Sequence, residues 1–234
     1  GSVYHGWQSQ INAAAIQDVI EGALIKLTGE KCKLTGAGRT DAGVHALGQT
    51  ANFYTSSSIP PDRFSNALNA LLPSDITIRK SEEVSNEFHS RFCSKGKVYK
   101  YLIHNSKQPS ALLKNRAWHV PSKLDFEVMQ AASRLFCGKH DFSAFYHANG
   151  SNVLSAVRNI TGVSLTDIND LSRMGILHKS EDCLLELEIS GEGFLYNMVR
   201  IITGTLVEVG MGRLQYEDVA LLLKMGDRRK AGRT

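Results

Sequence analysis

At 234 residues the chain can bury one large core or two small ones. A net charge of +4 with a pI near 8.8 admits a polyanionic partner without demanding one. Four scattered cysteines (Cys32, Cys93, Cys137, Cys183), no metal-ligand spacing among eight histidines, no run near the roughly 18 apolar residues of a membrane span and no signal-peptide pattern exclude a disulfide frame, a metal centre and a membrane protein; they predict buried, reduced thiols in a cytoplasmic protein.

The chain opens on Tyr4-His5-Gly6-Trp7-Gln8, whose aromatics and glycine predict a structured loop. Ile16, Val19, Ile20, Ala23, Leu24 and Leu27 then recur at helical spacing, with Asn12 as the expected N-cap and Gly29 as the stop. A short strand at 32–35 leads into Gly36-Ala37-Gly38-Arg39-Thr40-Asp41-Ala42-Gly43-Val44-His45, and a strand at 49–54 leaves it. Glycines 36, 38 and 43 let this loop take φ > 0 and let another chain or ligand come close. Asp41, beside a guanidinium and a hydroxyl, stands where a reactive carboxylate would be placed; the same residues also spell an ordinary Asx turn.

Pro60-Pro61-Asp62 starts a second helix with Phe64, Leu68, Leu71 and Leu72 on one face, and 77–79 reads as a strand. Residues 88–97 are basic and aromatic together, and 98–104 alternates as a strand, Tyr99, Tyr101 and Ile103 on one face. A polar connector at 105–113 separates an N-terminal half, 1–104, from a C-terminal half, 105–234. The second half reads as a helix at 124–136 stopped by Gly138, an aromatic turn at 140–146, strands at 159–165 and 184–190 around a polar excursion, an apolar helix at 193–209 and a short helix at 216–225. Strands and helices mix without βαβ alternation, which predicts an α+β fold with a mixed, largely antiparallel sheet.

The helix at 193–209 carries a single formal positive charge, Arg200, above a narrow polar stripe of Tyr196, Asn197, Thr203 and Gly204. A cation on a mostly buried helix needs a carboxylate or phosphate, and Asp41 is the expected partner across a cleft; alternatively the side chain snorkels to solvent.

Gly38-Arg39-Thr40-Asp41-Ala42-Gly43-Val44-His45 followed by Gly48-Gln49 resembles the signature of the TruA-type tRNA pseudouridine synthases. Gly6-Trp7-Gln8, Phe88-His89, Arg91-Phe92, Lys97-Val98-Tyr99-Lys100-Tyr101, the stretch from His140 to Phe145, Gly193-Phe194, Met198-Val199-Arg200, Gly204-Thr205-Leu206 and Val209-Gly210 match the same family in order. Family members ordinarily carry a strand ending in Tyr-Asp-Gly before Tyr4 and a further strand after residues 227–234, so the chain is expected to be trimmed at both ends.

The resemblance implies a pseudouridine synthase fold of two similar α+β halves around a central cleft. It implies isomerisation of uridine to pseudouridine in the tRNA anticodon stem-loop (positions 38, 39 and 40), with no cofactor and no metal. Asp41 is implied as nucleophile or base, with Arg39 and Arg200 keeping it ionised and oriented. Tyr99 is implied to stack on the extruded uracil, and His45, Arg91 and Lys97 to contact the substrate. Phosphate contacts are expected from Arg91, Lys95, Lys97 and Lys100 and from Arg228, Arg229, Lys230 and Arg233. A homodimer with one tRNA lying across both subunits is implied as well. Three alternatives stay open: action on other uridines or another RNA, a non-catalytic RNA-binding module, and a nucleotide-binding enzyme, although 36–41 lacks both the G-x-G-x-x-G and the P-loop pattern.

Overall fold

A computed structural model describes residues 1–147, 154–168 and 183–234, in two compact units, Gly1–Ser94 and Lys95–Thr234. In the first unit, helix α1 (Ile16–Thr28) turns Ile20, Ala23 and Leu24 onto Trp7, Leu34, Phe64 and Leu68. Its N-cap, Ala15, has no side chain that could accept a hydrogen bond. The carbonyls of Gly6 and Trp7 instead accept the N–H groups of Ile16 and Gln17 at 3.2 and 3.1 Å, so the aromatic opening segment, rather than Asn12, starts the helix. Gly29 ends it in the left-handed conformation, donating to the Ile25 carbonyl.

The strands around the central loop are shorter than expected. β1 (Thr35–Gly36) pairs antiparallel with β2 (Ala51–Asn52) and nothing longer forms. Helix α2 (Phe64–Asn69) follows a 3-10 turn begun by Pro61. Asn69 then brackets Ile78: its Oδ1 accepts the Ile78 N–H at 2.7 Å and its Nδ2 donates to the Ile78 carbonyl at 2.9 Å. A side chain thus takes the place of a ladder partner, and residues 77–79 join no strand.

Among its described residues the second unit is built on five strands in the order β4-β3-β7-β6-β5: β3 (Lys97–Asn105), β4 (Trp118–Val120), β5 (Gly138–Asp141), β6 (Val157–Asp167) and β7 (Cys183–Gly191). All pairs are antiparallel except β3 with β4. Tyr99, Tyr101 and Ile103 stand opposite Ile189, Leu187 and Leu185 and share a core with helices α3 (Phe126–Ser133), α4 (Met198–Gly210) and α5 (Tyr216–Met225). The fold is therefore α+β, a mixed and mostly antiparallel sheet flanked by helices.

Several boundaries move for identifiable reasons. α4 starts at Met198 because Asn197 sits at φ +60°, outside helical space. α3 takes Asp125 as its N-cap and tightens into a 3-10 turn over Arg134–Phe136, after which Gly138, at φ +110°, opens β5. β4, at three residues, is too short to show alternation. The excursion read between 165 and 184 lies largely outside the described residues. Cys93 and Cys137 are exposed, correcting the expectation of four buried thiols: Phe136 takes the core position beside Cys137, and Cys93 ends an exposed turn. Among the described residues no helix is long and apolar enough to cross a membrane.

Candidate active site

The loop between β1 and β2 is held by three consecutive residues from the start of the chain. Gly6 approaches so closely that a Cβ there would lie 2.3 Å from the Thr40 carbonyl oxygen and 3.2 Å from the Asp41 carbonyl carbon. The Trp7 N–H donates to that same Thr40 oxygen at 3.1 Å, and its indole covers Gly36, where a Cβ would meet the ring at 2.6 Å. Gln8 accepts the Arg39 Nε–H at 3.0 Å. Since Gly6 and Trp7 also cap α1, one short segment fixes both the helix start and the backbone on either side of Asp41.

The Asp41 carbonyl accepts the Val44 N–H at 3.1 Å, closing a turn in which Gly43 takes φ +78°. Gln49 reaches back to the Gly38 carbonyl, and Ala37 N–H donates to Thr50 at 2.8 Å. Gly36 is at ordinary φ and is required by the close approach of Trp7 rather than by backbone conformation. Asp41 is half-buried, Arg39 and His45 are exposed, and His45 Nε2 lies 3.3 Å from Ser2 Oγ.

Arg91 is exposed on a turn fixed to the stem of this loop. Ser90, almost fully buried, donates its hydroxyl to the Thr35 carbonyl at 2.6 Å and its N–H to Asn52 Oδ1 at 3.0 Å, so it joins β1 and β2 across their paired residues. Neither this bolt nor the Trp7–Gln8 brace is visible from periodicity. The cue available was a glycine and a tryptophan together near the start.

In the second unit, Tyr99 is half-buried with its ring edge-on to Phe194, centroids 4.9 Å apart. Burial raises the Tyr101 hydroxyl above the ordinary phenol range, and the nearby Arg200 charge opposes part of that rise. Arg200 is half-buried on the first turn of α4, two residues after a Met198 that is fully enclosed. Lys97 begins β3 opposite Gly191. The second unit thus gathers Tyr99, Tyr101, Phe194 and Arg200 at the start of α4, while the first holds Arg39, Asp41, His45 and Arg91 on and beside one loop.

Three of the expected phosphate contacts are already matched. Lys100, on the opposite sheet face from the tyrosines, bonds Glu186 at 2.7 Å and Glu188 at 3.0 Å, and these carboxylates raise its pKa. Arg228 donates to the carbonyls of Ala231 and Gly232, and Arg229 makes a two-point contact with Asp227 at 3.1 and 3.2 Å. Lys230 and Arg233 are exposed.

The family model described as tRNA pseudouridine synthase matches residues 1–93 and 132–234. The chain is similar to tRNA pseudouridine synthase A of Acetivibrio thermocellus, 54% identical over 234 residues, 100% of this chain and 90% of that protein. The corresponding proteins of Ruminiclostridium cellulolyticum and Caldicellulosiruptor saccharolyticus are 50% and 46% identical over the same shares of each chain.

Proposed function

The chain belongs to the tRNA pseudouridine synthase family, and from that premise we propose that it isomerises uridine to pseudouridine in tRNA with Asp41 as its reactive carboxylate. The reaction breaks the N1–C1′ bond, turns the uracil and joins C5 to C1′; the proton lost from C5 balances the one gained at N1. A carboxylate serves this as nucleophile at C1′ or C6, or as base at C2′. The observation that carries the reading is the brace on the loop. Gly6 and Trp7 both meet the Thr40 carbonyl, Trp7 also covers Gly36, and Gln8 holds Arg39, which presents a half-buried Asp41 on backbone already in place. Pre-placement of this kind lowers a barrier because no reorganisation is needed when charge develops.

Arg39 and Arg200 are proposed to favour the ionised, oriented carboxylate, and Tyr99 to stack on the uracil with its face set by Phe194. His45, Arg91 and Lys97 are proposed as substrate contacts. The uridines are proposed to be those of the anticodon stem-loop. The enzyme is proposed to work in the cytoplasm as a homodimer.

Asp41→Asn and Asp41→Ala test the assignment. Pseudouridine formation in unmodified tRNA should fall more than about a hundredfold, while tRNA binding persists. Product at the wild-type rate would remove Asp41 from the chemistry and leave an RNA-binding module as the better reading.

A further inference from the structure

Phe92 is a large apolar side chain left 77% exposed. One such residue is ordinary on a protein surface; its support is not. The His89 ring stacks against it, centroids 4.3 Å apart and planes 33° apart, and the Arg91 guanidinium lies 5.9 Å from its centroid. His89 Nδ1 accepts the Arg91 N–H at 3.2 Å, so the imidazole is tied to the turn that it backs. The Cys93 N–H closes that turn on the His89 carbonyl at 2.8 Å, and the buried Ser90 bolts it to Thr35 and Asn52. The turn that presents this exposed ring is thus held on the stem of the loop that carries Asp41, with His89 stacked on the ring and the Arg91 guanidinium over it. The local charge is one-sided as well: from Phe88 to Lys95 the sequence has two cations, Arg91 and Lys95, and no carboxylate.

We infer that Phe92, backed by His89 and flanked by Arg91, is a stacking platform for a second, unpaired nucleobase of the RNA whose uridine Asp41 addresses. A π-face takes any base, and the guanidinium favours the phosphate that accompanies it. The fixed turn means that little side-chain freedom is lost when the base arrives. This rests on RNA being the substrate, and assigns to Phe92 a role separate from that of the reacting uridine.

Equilibrium binding of unmodified tRNA to the full chain tests the platform. Phe92→Ala should weaken binding about tenfold; Phe92→Trp should retain it. Phe92→Leu, apolar but without a π-face, should not restore it. Adding a short uridine oligonucleotide should quench the new indole of Phe92→Trp, measured against the wild-type signal of Trp7 and Trp118. Wild-type affinity in Phe92→Ala, or a Phe92→Leu variant that binds as well as Phe92→Trp, would overturn the inference while leaving the proposed reaction intact. If the wild-type chain forms no pseudouridine, yet Phe92→Ala loses affinity and the indole is quenched, the proposed reaction fails and the platform stands. A wild-type chain that does not bind tRNA removes both.

Discussion

At Gly6 two constraints coincide: the backbone sits at φ +91°, and a methyl group would lie 2.3 Å from the Thr40 carbonyl oxygen. Both are properties of main chain, which cannot swing aside as a side-chain tip can. Gly6→Ala should therefore cost about 1–3 kcal/mol of stability and displace the loop around Asp41. Thermal melting reads the first effect. Pseudouridine yield should fall further than the lost folded fraction explains, and yield that tracks the folded fraction would separate the brace from the chemistry. Asp41 and Arg39 can be proposed from the sequence because they share one contiguous motif. Their supports are not, since Gln8 meets Arg39 across 31 residues with no period to betray it. Lys100 misleads for the same reason: Glu186 and Glu188 are its neighbours only once β3 and β7 pair.

Helix α4 shows what an element needs beyond its apolar stripe. Its interior glycine, Gly204, would ordinarily be a defect, and alanine would stabilise an exposed helix there by about 1 kcal/mol. Here a Cβ would come within 1.9 Å of the Arg233 carbonyl oxygen, and one on Gly232 would reach 2.3 Å from Gly204 itself. The Gly232 N–H donates to Thr205 Oγ1 at 2.9 Å, whose own hydroxyl donates to the Ile201 carbonyl. Segment and helix lie backbone to backbone, so the collision outweighs the propensity. Gly204→Ala should lose about 2 kcal/mol net, lowering Tm by about 4–8 °C, with faster tryptic cleavage at Arg228, Arg229 and Lys230. A raised Tm would mean that propensity wins. Helical spacing exposes α1 and α5 in the sequence because each repeats its pattern over ten or more residues. The sequence predicts β1 and β2 longer than the two residues each that pair, β4 at three residues is too short for alternation to declare, and Asn69 replaces the strand expected at 77–79.

A net charge of +4 does not say which cations face a polyanion; the ion pairs do. Lys100 is matched twice over by Glu186 and Glu188, Arg229 is matched by Asp227, and Arg228 gives Nη1 to the Ala231 and Gly232 carbonyls and Nη2 to Thr234, its Nε being buried. A phosphate would have to displace those partners before gaining anything, whereas Arg91 and Lys95 are exposed within a stretch that has no carboxylate. Each cation that meets a phosphate releases condensed counterions, so the logarithm of the tRNA association constant should fall linearly with the logarithm of salt concentration. Arg91→Ala and Lys95→Ala should each make that slope shallower by about 0.7–0.9, because one neutralised phosphate is lost. Lys100→Ala should leave the slope unchanged, since removing a cation already paired with protein carboxylates releases no counterions from RNA. A shallower slope for Lys100→Ala would place that lysine on the RNA and require its glutamate pairs to open on binding; unchanged slopes for Arg91→Ala and Lys95→Ala would move the electrostatic contact away from the 88–97 stretch altogether.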